Sequence, residues 1–142
     1  MTRPLPGHRD AYRQFTPVTT RWMDNDVFGH VNNAVYYSLF DTAVTSLLVA
    51  TGLLDWHGGA QVMVVAESGC TYHRSVAFPE PLHVGLRIAR LGTSAVRYDL
   101  AMFAATGPAA AEGFFIHVCV DAATRRPVPL PDLWRSVLAG YV

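Results

Sequence analysis

The chain has 142 residues, 51% of them hydrophobic and 15% charged, against roughly 25% charged in an average soluble domain. Its eleven basic residues are all Arg and are balanced by eleven acidic ones, so the basic stripe of a nucleic-acid protein is missing, and no lysine amine is present for Schiff-base or P-loop chemistry. The length suits one domain with a core that needs no disulfides.

Residues 1–11 hold two Pro, a Gly and scattered charges and are expected to form a loose arm. Residues 12–23 predict a strand, with Val18, Thr20 and Trp22 alternating against Thr19, Arg21 and Met23. Pro17 limits how central its early part is. A polar loop follows over 24–32. Apolar pairs then recur every four residues: Val35/Tyr36, Leu39/Phe40, Ala43/Val44 and Leu47/Leu48. That spacing predicts a helix over 33–51, capped by Asn32 or Asn33 and ended by Gly52.

After Trp56–Gly59 the period changes to two. Residues 61–73 predict a strand, with Gly69 a candidate bulge. Residues 82–91 alternate, with Leu82, Val84, Leu86 and Ile88 on one face. Residues 95–105 alternate through Val96, Tyr98, Leu100 and Met102. Residues 111–121 place Phe114, Ile116, Val118 and Val120 together. A tail over 128–142 carries a short helix over 132–138. Strands joined by short turns are antiparallel. The order β–α–β–β–β–β therefore predicts an α+β fold, about five antiparallel strands wrapped over one long helix.

Cys70 and Cys119 lie in apolar runs and lack any Cys-x-x-Cys spacing, so they are read as small core residues. The N-terminus lacks the apolar run of a signal peptide, and no segment has the length of a membrane helix. A cytoplasmic location, with no membrane or nucleic-acid partner, is expected.

The informative segment is the loop before the helix, from Arg21 to Asn33. It holds Asp24, Asp26, Gly29, His30, Asn32 and Asn33. A helix N-terminus carries unpaired N–H groups and a partial positive charge. These favour a nearby carboxylate and can receive an oxyanion formed during attack on a carbonyl. The same residues also suit plain Asx turns and helix capping, and an Asp-x-Asp pair can ligate a divalent metal. No further ligand set supports a metal, and none is expected.

The stretch RWMDNDVFGHVNNAVYYSLFDTA resembles the acyl-CoA thioesterases of the hotdog fold, in the 4-hydroxybenzoyl-CoA thioesterase-like branch. The likeness continues through Tyr72-His73-Arg74-Ser75-Val76, Phe78-Pro79 and Arg90-Leu91-Gly92. It implies one domain over 1–142 with a curved sheet wrapped around the helix. It also implies a homodimer or homotetramer whose sheets join edge to edge, with active sites between subunits. The reaction it implies is hydrolysis of a thioester to a carboxylic acid and free CoA. Asp26 would attack the carbonyl or activate water. Backbone N–H near Asn33 would form the oxyanion site, with Gly29 and His30 in the approach loop. No separate cofactor is implied, because coenzyme A is part of the substrate.

For substrate binding, Phe28 and Tyr36 are candidate acyl contacts, beside Trp22 and Phe40. Without Lys, a clamp on the CoA phosphates must use Arg, and Arg74, Arg90 and Arg97 are the candidates. Asp24 is read as a loop-shaping residue. Asp41, mid-helix with Ser38 and Thr45 on one face, is read as the partner of an Arg or as a second carboxylate for catalysis. Two rival functions share the fold: a hydratase or dehydratase of acyl thioesters, and a non-catalytic acyl-CoA sensor. The hydratase pairs Asp and His across four residues. Here three residues separate Asp26 from His30 and five separate Asp24 from it.

Overall fold

The computed structural model describes residues 2–142. Strand β1 (Gln14–Val18) leads to helix α1 (Asn33–Ala50). Strands β2 (Gln61–Tyr72), β3 (Leu82–Leu91), β4 (Ala95–Phe103) and β5 (Ala111–Asp121) follow, and helix α2 (Asp132–Leu138) closes the chain. The strands form one sheet in the order β1-β3-β4-β5-β2, and each neighbouring pair is antiparallel. This is the hotdog architecture expected from the sequence.

The alternation of β3 and β4 has the predicted cause. Leu82, Val84, Leu86 and Ile88, with Val96, Tyr98, Leu100 and Met102, are all buried in the core. From α1, the side chains of Tyr36, Phe40, Ala43, Val44, Leu47 and Leu48 meet them. Burying large side chains against each other is the main stabilisation, roughly 1.5–3 kcal/mol for each. Gly52, at φ +74°, follows the end of α1, as its freedom from a Cβ allows.

Strand β5 keeps Phe114, Ile116 and Val118 on one face, as their alternation predicts, and that face turns outward. Phe115, His117 and Cys119 are buried on the inner face, while Phe114, Ile116 and Val118 are half-buried on the outer face and Val120, in their row, is buried at the strand's end. Both faces carry apolar residues, so alternation alone did not distinguish them, and a histidine marks the inner one. The first strand is also shorter than predicted. It ends at Val18, and Trp22–Asp24 forms a 3-10 turn instead. The bulge of β2 falls between Val65 and Glu67 rather than at Gly69. Gly69 is needed for another reason: a Cβ there would lie 2.7 Å from the Phe114 ring.

The expected loose arm is docked along the described residues. The Arg3 guanidinium donates to the Tyr72 carbonyl, and Ala109 N–H donates to Gly7 O at 2.9 Å. Arg9 stands 4.9 Å over the Phe103 ring, a contact that attracts a cation to the ring face.

Helix α1 runs antiparallel to β2. Tyr72, at the end of β2, donates its hydroxyl to Asn33 O at 2.8 Å. Further along, Tyr37 stacks on Phe115 of the adjoining β5, and Asp41 shares a cavity with His117 and Met63. Among the described residues the outer edge of β2 has no neighbouring strand in the sheet, and Val64–Ser68 are exposed there. Among the described residues, no helix is long and apolar enough to cross a membrane.

Candidate functional site

The loop between β1 and α1 is held by three anchors. Asp24 is buried and accepts from its neighbour: Arg21 N–H donates at 2.7 Å and the Arg21 guanidinium at 2.9 Å. The side-chain hydrogen bond from Arg21 holds the Asp24 carboxyl below its ordinary range despite burial. The Asp24 carbonyl then accepts from Asn32 N–H at 2.9 Å. Asn25 Oδ1 accepts from Phe78 N–H at 3.1 Å, and Val31 N–H donates to Val76 O at 2.8 Å. Asp24 thus shapes the loop, the role read from the sequence.

Within this frame Asp26–Gly29 is a tight turn. Gly29 N–H donates to Asp26 O at 3.0 Å, and Gly29 sits at φ +86°, a conformation that favours glycine. The Asp26 carboxylate is held at both oxygens. Phe28 N–H donates to Oδ1 at 2.9 Å, and the Asn32 side-chain amide donates to Oδ2 at 3.0 Å. Asn32 also caps α1, because its Oδ1 accepts from Ala34 N–H at 3.0 Å. One side chain therefore ties the carboxylate to the helix start. Among the described residues no acceptor takes the Asn33 N–H, which leaves it available to a developing oxyanion.

A cavity of about 210 Å³ beside this helix start is lined by His30, Asn33, Tyr36, Tyr72, His73 and Arg74 among others. It brings together four of the residues named from the sequence. Asp26 does not line it within one chain. Phe28 is exposed and stacks on His30, with ring centroids 6.5 Å apart. Tyr36 is buried and meets Tyr72 edge-on at 5.0 Å, so its ring braces the cavity wall. Burial raises its hydroxyl above the ordinary tyrosine range.

Arg90 is not brought to this cavity. It lies at the far end of β3, eight residues beyond Leu82, roughly 26 Å along a strand. Arg97 donates to Asp99 at 3.0 Å and lies 4.2 Å over Phe114 on the outer face, so it too is engaged elsewhere. Asp41 has no Arg partner among the described residues. It faces His117, whose ring burial lowers below its ordinary value while the Asp41 charge opposes that shift.

The sequence reading did not single out Tyr72 or His73 as site residues. His73 Nε2 lies 2.8 Å from Glu112 Oε2, and Glu112 accepts from the Tyr12 hydroxyl at 3.2 Å. The pairing joins residues distant in sequence, so no local spacing announces it. Among the described residues no cluster of three His, Cys, Asp or Glu side chains could hold a metal ion.

Residues 18–138 match the family model for the thioesterase-like superfamily. The chain belongs to that superfamily. The PA5185 protein of Pseudomonas aeruginosa strain PAO1 is 46% identical over 96% of both chains, with a TM-score of 0.92. PA2801, a putative thioesterase of Pseudomonas aeruginosa, is 32% identical, covering 86% of this chain and 95% of that one, with a TM-score of 0.79. A Thermus thermophilus thioesterase complexed with coenzyme A and Zn is 31% identical, covering 89% of this chain and 92% of that one, with a TM-score of 0.76. The uncharacterized protein YsmA of Bacillus subtilis (strain 168) is 25% identical over 93 residues, 66% of this chain and 63% of YsmA. The match thus spans under two thirds of that curated relative's length.

Proposed function

We propose that the protein hydrolyses acyl-CoA thioesters to a carboxylic acid and free CoA at the start of α1. The observation that carries this reading is the double anchoring of Asp26 by Phe28 N–H and the Asn32 amide, one residue before the free N–H of Asn33. A thioester carbonyl placed over α1 would accept from Asn33 N–H as its oxygen gains charge. As a general base, Asp26 takes a proton from water while the water oxygen bonds to the carbonyl carbon. The tetrahedral intermediate collapses, the C–S bond breaks, and the CoA thiolate leaves and is protonated. As a nucleophile, Asp26 would first form a mixed anhydride with loss of the thiolate, and water would then cleave it. Gly29 and His30 shape the approach, and Arg74 at the cavity offers a charge to the CoA phosphates.

The CoA-bound Thermus thermophilus relative supports CoA as the carrier. The site also asks for a second copy. Phe28, Val27, Trp22 and Met23 are all more than 70% exposed around the loop, an unusual apolar surface for a monomer. The open β2 edge offers the pairing surface. Antiparallel pairing of two β2 strands places a two-fold axis normal to the sheet, so both α1 helices lie on one face and run in opposite directions. The loop at Asp26 of one copy then stands beside the later half of α1 in the other. The test is thiol release from a panel of acyl-CoAs by the wild type and Asp26→Asn. Release by the wild type that Asp26→Asn abolishes supports the reading. No release from any thioester overturns it.

A further inference from the structure

Tyr72 is the last residue of β2, and its hydroxyl donates to Asn33 O at 2.8 Å, at the first residue of α1. Neither group depends on the other to be satisfied. In an α-helix that carbonyl already accepts from the N–H four residues on, and the Tyr72 hydroxyl lies where water can reach it. What the bond adds is geometric. It ties the end of β2 to the first turn of α1, beside the cavity at the helix start.

The donor is firmly held. Tyr72 pairs with Ala111 across β2 and β5, and just beyond it His73 and Arg74 N–H both donate to Ala110 O, at 2.8 and 3.0 Å. The Tyr36 ring meets the Tyr72 ring edge-on, with centroids 5.0 Å apart, and the Arg3 guanidinium donates to the Tyr72 carbonyl. Burial, with Cys70, Tyr37 and Tyr36 nearby, raises the Tyr72 hydroxyl above the ordinary tyrosine range, so it stays protonated, and a donor, at neutral pH. The acceptor is held from the other direction. Asn32 N–H donates to Asp24 O at 2.9 Å, and the Asn32 side chain caps the helix through Ala34 N–H. The peptide that carries the Asn33 N–H is therefore fixed by the loop on one side and by β2 on the other.

We propose that Tyr72 is a positioning residue for the hydrolysis: through its bond to Asn33 O it aims the Asn33 N–H at the oxygen of the reacting carbonyl. The inference rests on the thioesterase reading and adds a residue to its machinery. In this role the hydroxyl acts through Asn33 and needs no contact with the substrate. Donors preset toward a developing oxyanion are effective because they need no reorganisation as the charge forms, and a small misalignment lowers the rate steeply. Without the Tyr72 hydroxyl the first turn keeps its cap on Asn32 but loses its tie to the sheet, and helix ends are where fraying begins. The loss falls on the tetrahedral intermediate, whose charged oxygen makes the stronger bond to the N–H, and spares ground-state binding.

The experiment compares the wild type with Tyr72→Phe, which keeps the ring against Tyr36. Tyr37→Phe, which removes a hydroxyl from the same helix and keeps the stack on Phe115, is the control. Thermal unfolding establishes that each variant folds. The readouts are kcat and KM from thiol release, and Kd by calorimetry for two inert CoA derivatives. One is a trifluoromethyl ketone thioether, whose hydrated carbonyl imitates the tetrahedral intermediate; the other is the matching alkyl thioether without a carbonyl. Tyr72→Phe should lower kcat at least about tenfold with KM within about twofold. It should weaken the ketone at least about fivefold and leave the thioether within about twofold. Tyr37→Phe should match the wild type throughout. An unchanged kcat in Tyr72→Phe overturns the inference, as does equal weakening of both derivatives, the mark of general loosening. Should the wild type cleave no thioester, the thioesterase reading fails and the two Kd ratios still decide the role of Tyr72. A loss confined to the ketone then upholds it, and an equal loss or none overturns it.

Discussion

Asn32 serves two partners at once: its amide nitrogen donates to Asp26 Oδ2 at 3.0 Å, and its amide oxygen accepts from Ala34 N–H at 3.0 Å. The carboxylate and the first turn of α1 therefore share one rigid side chain. Positioning of this kind matters in catalysis because small displacements of a reacting group are costly in rate. The two roles separate by substitution. Asn32→Ser keeps a capping oxygen, so stability should change by less than about 0.5 kcal/mol. It takes away the amide arm that reaches Asp26 Oδ2, which the shorter Ser hydroxyl does not span while capping Ala34 N–H, and kcat should fall roughly tenfold or more with KM little changed. Urea unfolding and steady-state kinetics on the same preparations check both halves.

Asp26→Asn tests the carboxylate itself. Asn cannot take a proton from water or form an anhydride, so kcat should fall at least about 100-fold. The side chain keeps its shape and its Oδ1 still accepts from Phe28 N–H, while its amide nitrogen now faces the Asn32 donor, so thermal stability should fall by the loss of that one hydrogen bond, about 1–2 kcal/mol. A variant of near-wild-type activity would remove Asp26 from the mechanism.

Much of the fold was legible because its signals are local. The period of β3, β4 and α1 follows from which residues each element buries, and the predicted bounds of β3 and β5 agree with the structure. The Asp26 loop was legible in composition and by resemblance, but its geometry was not. Nothing in the spacing says that Asn32 rather than Asn33 caps the helix, or that Phe28 N–H meets Asp26. Which face of β5 turns inward is not legible in the sequence, because Phe114, Ile116 and Val118 are as apolar as a core face. What makes Phe115, His117 and Cys119 the inner set is the packing of α1, through the stack of Tyr37 on Phe115. The cavity at His117 and the His73–Glu112 pair join separate strands, so only the assembled sheet reveals them.

Close approach of α1 to the sheet depends on Gly113. A Cβ there would lie 2.7 Å from Gly69 O and 2.8 Å from Phe40 Cε2. Phe40 is fully buried and the carbonyl belongs to the β2 backbone, so neither can yield freely. Gly113→Ala should therefore destabilise by about 1–3 kcal/mol, read as a lower urea midpoint. An unchanged midpoint would mean that the helix and sheet adjust more easily than this packing implies.

The open edge of β2 gives a prediction for assembly. The wild type should sediment as a dimer or larger species at micromolar concentration. Val64 is 37% exposed near the middle of that edge. Val64→Lys would bring two like charges close to the two-fold axis, and like charges across paired strands are destabilising. Dimer dissociation should strengthen at least about tenfold, with activity falling in proportion to the dimer lost. A stable, active wild-type monomer would contradict the pairing.

His117 makes stability depend on pH in a direction that can be worked out. Burial holds its folded-state value below the ordinary 6.5, with Asp41 acting in the opposite sense. The other titratable groups around the cavity it shares with Asp41 are Asp55 and Cys119, and Tyr98 packs on the ring. Between the depressed folded value and 6.5 the unfolded chain binds more protons, so stability rises with pH across that window. The contribution of His117 is therefore complete above about pH 6.5 and is lost as pH falls through the window, levelling below the folded value. His117→Phe has no proton to bind and should flatten this part of the profile. Urea midpoints of both proteins, measured from pH 5 to 7.5 in about half-unit steps, check the sign: the wild type should lose stability on acidification relative to the variant. Parallel profiles would show that the imidazole reaches solvent or a partner in the folded protein.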